Sequence, residues 1–161
     1  MCNEGTCMKA FGFNSNDSQA RLIELHTPQA TAHDLLIEID AIAVNPVDTK
    51  VIAGIKEPLS SPKIVGWDVA GTVTEIGDEV ELFKVGDKVF YAGDISRPGC
   101  YASHQLVDER IVGHAPKTLS AVETAAMPLT SITAWEALFS RLKIIADLDA
   151  GKNILIIGGA G

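Results

Sequence analysis

Apolar and polar residues alternate along most of the first two thirds of the chain at the spacing of strands. Residues 8–13 and 21–25 read as a strand pair across a polar turn at 14–18. Residues 34–44 form a longer strand, in which Glu38 and Asp40 alternate with apolar neighbours between Leu36 and Ile42 and mark one solvated face. Residues 64–77 read IVGWDVAGTVTEIG; after Gly71 the pattern points Val73 and Ile76 inward and Thr72, Thr74 and Glu75 outward. Gly66, Gly71 and Gly77 fall where a bend, a close backbone approach or a turn excludes a side chain. A turn at Val85-Gly86-Asp87 feeds a strand ending at Tyr91, and a turn-rich loop spans 93–99. Residues 100–107 and 111–112 return to strand character. Many short strands at this spacing predict a barrel or sandwich from residue 8 to about 115.

Helical signals interrupt and then replace this pattern. Val47 to Gly54 reads as a short helix, with Pro46 suited to its first turn and Gly54 to its stop. Beyond Pro116, Ser120 stands three residues before Glu123, the spacing of a capping box, and Pro128 breaks the short helix that follows. From Ser131 to Lys143, Ile132, Trp135, Leu138, Phe139 and Leu142 lie on one helical face. Residues 153–157, NILII, are expected to be a strand buried on both faces of a parallel sheet. The glycine turn 158–161 follows it; such a turn leads into a helix whose N-terminus holds a dinucleotide pyrophosphate, although only half of that fingerprint is present.

Composition narrows the function. The chain has 161 residues, 47% of them hydrophobic, enough for one real core. A formal net charge of −8 argues against a nucleic-acid or anionic-membrane partner. No apolar run approaches the roughly 18–20 residues of a membrane span, and the N-terminus lacks the layout of a signal peptide, so a cytoplasmic protein is expected. Cys2, Cys7 and Cys100 are odd in number and make no C-x-x-C pair, which indicates neither a disulfide framework nor a zinc knuckle. Cys2 and Cys7 are expected as reduced thiols on a flexible leader, residues 1–7.

The string GWDVAGTV followed by VGDKV resembles the G-H-E-x-x-G-x-V…x-G-D-x-V signature of the medium-chain dehydrogenase/reductase superfamily. AVNPVD (43–48), GCYA (99–102), AMPLTSITAW (126–135) and IGGAG (157–161) extend the resemblance over most of residues 8–161. Within the superfamily the chain is similar to the zinc-less quinone and enone reductase branch, whose relatives are often named zinc-type alcohol dehydrogenase-like. The resemblance implies a mainly β GroES-like barrel domain with short helices, an α+β catalytic domain at 8–125. A hinge helix and the first strand of a truncated Rossmann α/β domain follow at 126–161. An N-terminal piece of a longer reductase is therefore expected, lacking the C-terminal return that completes the catalytic domain.

Set against the zinc enzymes, the ligand Cys becomes Asn45, the His becomes Trp67, and the second Cys falls near Leu129. Carboxamide, indole and aliphatic chain are not the thiolate, imidazole or carboxylate ligands that zinc takes. The four-cysteine structural lobe would lie near 94–100, where one cysteine stands. His26, His33, His104 and His114 are scattered singly. No zinc is expected. Without a Lewis acid, oxidising an unactivated alcohol is hard, whereas hydride transfer to a quinone or an α,β-unsaturated carbonyl needs hydrogen-bond donors and a proton.

The resemblance implies NADPH as cofactor, NADH not being excluded, and a homodimer when full length. It puts Asn45 at the junction of cofactor and substrate, where its amide serves an oxyanion or the nicotinamide ribose; a loop-capping Asn before Pro46 is the plainer alternative. Lys50 would stabilise or protonate the enolate, against an ordinary exposed helix lysine. Asp48 fixes the local backbone beside the substrate pocket, and Trp67 walls the pocket or is a plain core residue. Thr133 would lie near the nicotinamide, and Gly158, Gly159 and Gly161 would admit the pyrophosphate. Two rival readings remain: a zinc-dependent alcohol dehydrogenase with shifted ligands, and a non-catalytic relative of lens-protein or chaperonin-lid type.

Overall fold

Ile37 and Val73 sit opposite each other at the centre of the fold, both out of reach of solvent. The computed structural model describes residues 7–14 and 19–159. Described residues through Leu129 make one unit and those from Thr130 a second. In the first unit eight strands form two sheets. Strands β1 (Cys7–Phe13), β2 (Arg21–His26) and β4 (Lys63–Ile64) make a three-stranded sheet in the order β2-β1-β4. Strands β3 (Asp34–Ala43), β5 (Asp68–Ile76), β6 (Lys88–Ala92), β7 (His104–Asp108) and β8 (Gly113–His114) make the other, in the order β7-β3-β5-β6-β8. All pairings are antiparallel.

The expected strands are present, with adjustments. Cys7 is not in a leader: it opens β1 and pairs with His26, because the ladder to β2 reaches that far. The turn at 15–18 lies outside the described residues. Ile111 closes a one-turn 3-10 helix, Glu109–Ile111, instead of joining a strand, and β8 follows two residues later. Glu38 and Asp40 are exposed, as the alternation requires.

Between β3 and β5 the register slips twice: Leu36 pairs with Glu75 but Ile37 with Val73, and Ile39 pairs with Gly71 but Ala41 with Ala70. Thr74 and Asp40 are the residues passed over. A bulge of one residue resets the inside–outside alternation. Val73 is accordingly buried and Ile76 packs on the same core although they are three positions apart. Thr74 returns its hydroxyl to the Leu36 carbonyl at 3.1 Å. Gly71 lies where β3 comes closest; a Cβ there would stand 2.5 Å from the Glu38 carbonyl oxygen.

The main core joins Leu35, Ile37, Val69, Val73, Phe83, Val89, Tyr91, Cys100 and Val107. Burial of each large aliphatic side chain contributes about 1.5–3 kcal/mol. A second cluster, Phe13, Val65 and Trp67, packs with Val47, Val51, Ile52 and Ile55 around helix α1 (Pro46–Ala53). Helix α2 (Ala121–Ala125) starts at the expected capping box: Ser120 Oγ accepts from Glu123 N at 3.3 Å and Glu123 Oε2 accepts from Ser120 N at 2.9 Å. Its Thr124 and Ala125 are buried, and it packs over β3 and β5.

Helix α3 (Pro128–Trp135) starts three residues before the expected helix, on Pro128, whose missing N–H costs nothing in a first turn. Within the second unit the helix changes pitch at Glu136–Arg141 into a π-helix, where Leu142 N bonds to Ala137 O at 3.0 Å. Ile132, Trp135, Phe139 and Leu142 are exposed, since an apolar stripe is buried only when another apolar face covers it.

Residues 153–157 do not form the expected buried strand. They are non-helical and unpaired in any ladder, and Ile154, Leu155, Ile156 and Ile157 are exposed. A strand exists only where neighbours take its backbone hydrogen bonds, and among the described residues none does so here.

Candidate functional site

The candidate site is built where α1, the start of β5 and the first turn of α3 meet. Asn45 precedes Pro46 in extended conformation (φ −127°, ψ 149°) and opens α1. Asp48, three residues on, turns back: its Oδ2 accepts from Asn45 N at 2.9 Å, while Asp48 N donates to Asn45 O at 2.9 Å. The same Oδ2 accepts the Tyr101 hydroxyl at 3.0 Å. Asp48 is buried to 1% exposure, and its other oxygen, Oδ1, has no hydrogen-bond partner. Asp48 thus fixes the local backbone.

The Asn45 side chain is held from a different element. Its Nδ2 donates to Asp68 Oδ2 at 3.2 Å, and Asp68 Oδ1 accepts from Leu129 N at 2.8 Å. Asp68 is itself buried. Burial pushes its carboxyl above the usual range; the Leu129 N–H and the Asn45 amide pull it back, and the nearby Asp48 charge pushes it up again. Burial raises the Tyr101 phenol, and the hydrogen bond to Asp48 with that carboxylate's charge raises it further, so Tyr101 remains a neutral donor. The Cys100 thiol is likewise raised by burial first and then by Asp48.

Gly66 makes this packing possible. Its φ of +90° suits glycine, and a Cβ there would stand 2.4 Å from the Tyr101 ring and 2.8 Å from Cys100 Sγ. Trp67 lies in the core beside α1 and donates its indole N–H to the Asp94 carbonyl at 3.0 Å. Of the residues expected from sequence, Asn45, Asp48 and Trp67 are gathered around α1. Lys50 lies on the exposed side of the same helix. Thr133, Gly158 and Gly159 are exposed residues of the second unit, and Gly161 lies outside the described residues. Sequence reasoning assigned no role to Asp68, Tyr101 or Cys100. One signal for Asp68 was available: a lone charge within the apolar run IVGWDVAG is a charge that folding must bury and pair.

The positions that hold catalytic zinc in zinc dehydrogenases do not fit that metal here. Asn45 offers a carboxamide, with one N–H donated to Asp68, in place of a thiolate, Trp67 a ring N–H that donates, and Leu129 an aliphatic chain. Among the described residues no group of three or more His, Cys, Asp or Glu side chains is placed to hold an ion. Nor is any described helix long and apolar enough to cross a membrane.

The pattern of the alcohol dehydrogenase GroES-like domain matches residues 31–121. The chain belongs to this family. Residues 31–121 are a GroES-like domain of the medium-chain dehydrogenase/reductase superfamily. A zinc-type alcohol dehydrogenase-like protein of Staphylococcus aureus (strain COL) is 42% identical over 161 residues, 96% of this chain and 48% of its own. A chloroplastic quinone-oxidoreductase homolog of Spinacia oleracea is 34% identical over 93% of this chain and 47% of its own. A 2-methylene-furan-3-one reductase of Solanum lycopersicum is 39% identical over 83% of this chain and 35% of its own. Among solved structures, a candidate zinc-dependent alcohol dehydrogenase of Rhizobium etli CFN 42 superposes with a TM-score of 0.79 at 49% identity, covering 92% of this chain and 43% of that one. The GroES-like chain therefore spans about half the length of the first of these relatives, or less.

Proposed function

We propose that this GroES-like chain supplies the substrate side of a nicotinamide-dependent, zinc-independent oxidoreductase that reduces quinones or α,β-unsaturated carbonyls by hydride transfer. The observation that carries the reading is the Asn45 carboxamide held by Asp68 at 3.2 Å, where a zinc enzyme of this family needs a thiolate. An amide with one N–H fixed has a second to offer an enolate or quinol oxyanion, which is the help such a reaction needs. The relatives named as a quinone-oxidoreductase homolog and a 2-methylene-furan-3-one reductase support the same substrate class.

In this reading NADPH is the hydride donor, Asn45 meets the oxyanion or the nicotinamide ribose, and Lys50 supplies the proton. Asp48 and Trp67 shape the substrate side, Thr133 lies near the nicotinamide, and Gly158, Gly159 and Gly161 border the pyrophosphate. The whole enzyme is a homodimer. A panel of quinones and enones, assayed with NADPH on the protein joined to a complete nucleotide domain, tests it. Turnover that Lys50→Ala abolishes while NADPH binding persists is expected; no turnover of either class overturns the reading. A second reading, a zinc-dependent alcohol dehydrogenase, is favoured by the names of the Staphylococcus and Rhizobium proteins. Stoichiometric, tightly bound zinc together with alcohol oxidation would establish it instead.

A further inference from the structure

We propose that Asp68 is the positioning residue of this site, fixing which end of the Asn45 carboxamide is presented to the reacting molecule. The proposal rests on the reading of Asn45 as the group that meets the oxyanion or the cofactor. Asn45 is constrained twice, by two carboxylates with separate tasks. Asp48 sets its backbone, through the bonds Asn45 N to Asp48 Oδ2 and Asp48 N to Asn45 O, both 2.9 Å. Asp68 sets its side chain, through Nδ2 at 3.2 Å.

A carboxamide rotated by half a turn would bring Oδ1 against the Asp68 carboxylate, exchanging a hydrogen bond for a contact between two acceptors. Asp68 cannot swing away to relieve that contact. It is 3% exposed and its other oxygen is held by Leu129 N at 2.8 Å, a charge-assisted bond in the first turn of α3. Both neighbours donate, so position 68 requires a group that only accepts. An ionised carboxylate does this with both oxygens, whereas an amide of the same shape accepts with one end only and turns a donor on the other neighbour. The three residues lie 23 and 61 positions apart in the chain, so the bridge also makes the orientation of Asn45 depend on where α3 begins.

Two measurements test this, and they fail separately. On the isotopically labelled 161-residue chain, hydrogen-bond scalar couplings are sought from Asn45 Nδ2 and Leu129 N to the Asp68 carboxyl carbon. Both are expected, and absence of the Asn45 coupling overturns the proposal without any variant having to fold. In Asp68→Asn, with an unchanged near-UV spectrum, solvent exchange of the Asn45 side-chain protons should quicken at least tenfold while the Asn45 backbone amide keeps its rate. Unchanged side-chain exchange overturns it too. In the protein carrying its nucleotide domain, Asp68→Asn and Asn45→Ala should each lower kcat on an enone at least tenfold, with the KM for NADPH within twofold. The double variant should fall no lower than the worse single one; fully multiplying losses would show that Asp68 acts independently and overturn the proposal. Should the wild-type enzyme reduce neither quinones nor enones, the functional reading falls, and the coupling and exchange measurements alone decide whether Asp68 orients Asn45.

Discussion

Arg97 grips Asp34 through two parallel hydrogen bonds, Nη1 to Oδ1 at 2.8 Å and Nη2 to Oδ2 at 2.9 Å. The pair pins the 93–99 loop to the first residue of β3, across 63 positions of sequence. In the zinc dehydrogenases a four-cysteine lobe would stand near this loop; here a guanidinium fork fastens it.

Loss of that fork has a measurable cost. The two side chains are 32% and 20% exposed, so solvent screens the pair in part. Arg97→Lys, which keeps the charge but not the paired geometry, should lower unfolding free energy by about 1 kcal/mol, and Arg97→Ala by somewhat more. Urea denaturation at low and at high salt checks it: the difference from wild type should shrink as salt rises.

Gly66→Ala should be among the costly single substitutions. The new Cβ meets the Tyr101 ring at 2.4 Å at a φ of +90°. Overpacking of this kind costs about 1–3 kcal/mol, apart from the backbone strain. Because Tyr101 holds Asp48, the Asn45 backbone amide should also exchange faster with solvent in this variant.

Cys100 should resist thiol reagents in the folded protein. It is fully buried, and burial raises its thiol, so little thiolate forms at neutral or mildly alkaline pH. Mass spectrometry after alkylation at pH about 8 should find Cys7 modified at a rate set by reagent concentration and Cys100 only as the protein unfolds.

Stability should decline on the acid side, and Glu109 should carry part of that decline. Glu109 is buried at the end of β7, where it accepts from Leu82 N at 2.8 Å, Glu81 N at 3.1 Å and His33 Nδ1 at 3.0 Å. Burial pushes its carboxyl up, but these partners outweigh it and hold the group below its ordinary 4.5. Asp108 is held well below 3.8 by its bonds to Arg110. A carboxyl so lowered stabilises the fold above its ordinary value and loses that contribution as pH falls through the value it has when folded. Asp68, raised by burial, works in the opposite sense, since its contribution is present at low pH and lost as pH rises through its folded value. Asp94, Glu123 and Asp149 are lowered by their partners in the same sense as Glu109 and Asp108, so unfolding free energy should drop as pH falls below about 4.5. Glu109→Gln should be less stable at neutral pH and show a shallower drop; equal slopes in urea melts between pH 3 and 6 would contradict this.

What the sequence determined by itself was local. Alternation located β1, β2, β3, β6 and β7 and the run that contains β5, and the Ser120–Glu123 spacing gave a real capping box, because each depends on neighbours a few residues away. Glycines 66 and 71 are legible as residues without a side chain, but what they approach, Tyr101 and Cys100 for the first and Glu38 for the second, lies far along the chain. The signature residues were enough to imply the family. The bridge from Asn45 through Asp68 to Leu129, the grip of Arg97 on Asp34 and the two register slips between β3 and β5 were decided by the tertiary structure. Each joins groups that no local period relates. Residues 153–157 make the converse point: their apolar run reads as a strand, yet a strand is a property of paired backbones, and pairing is fixed only when the partners are present.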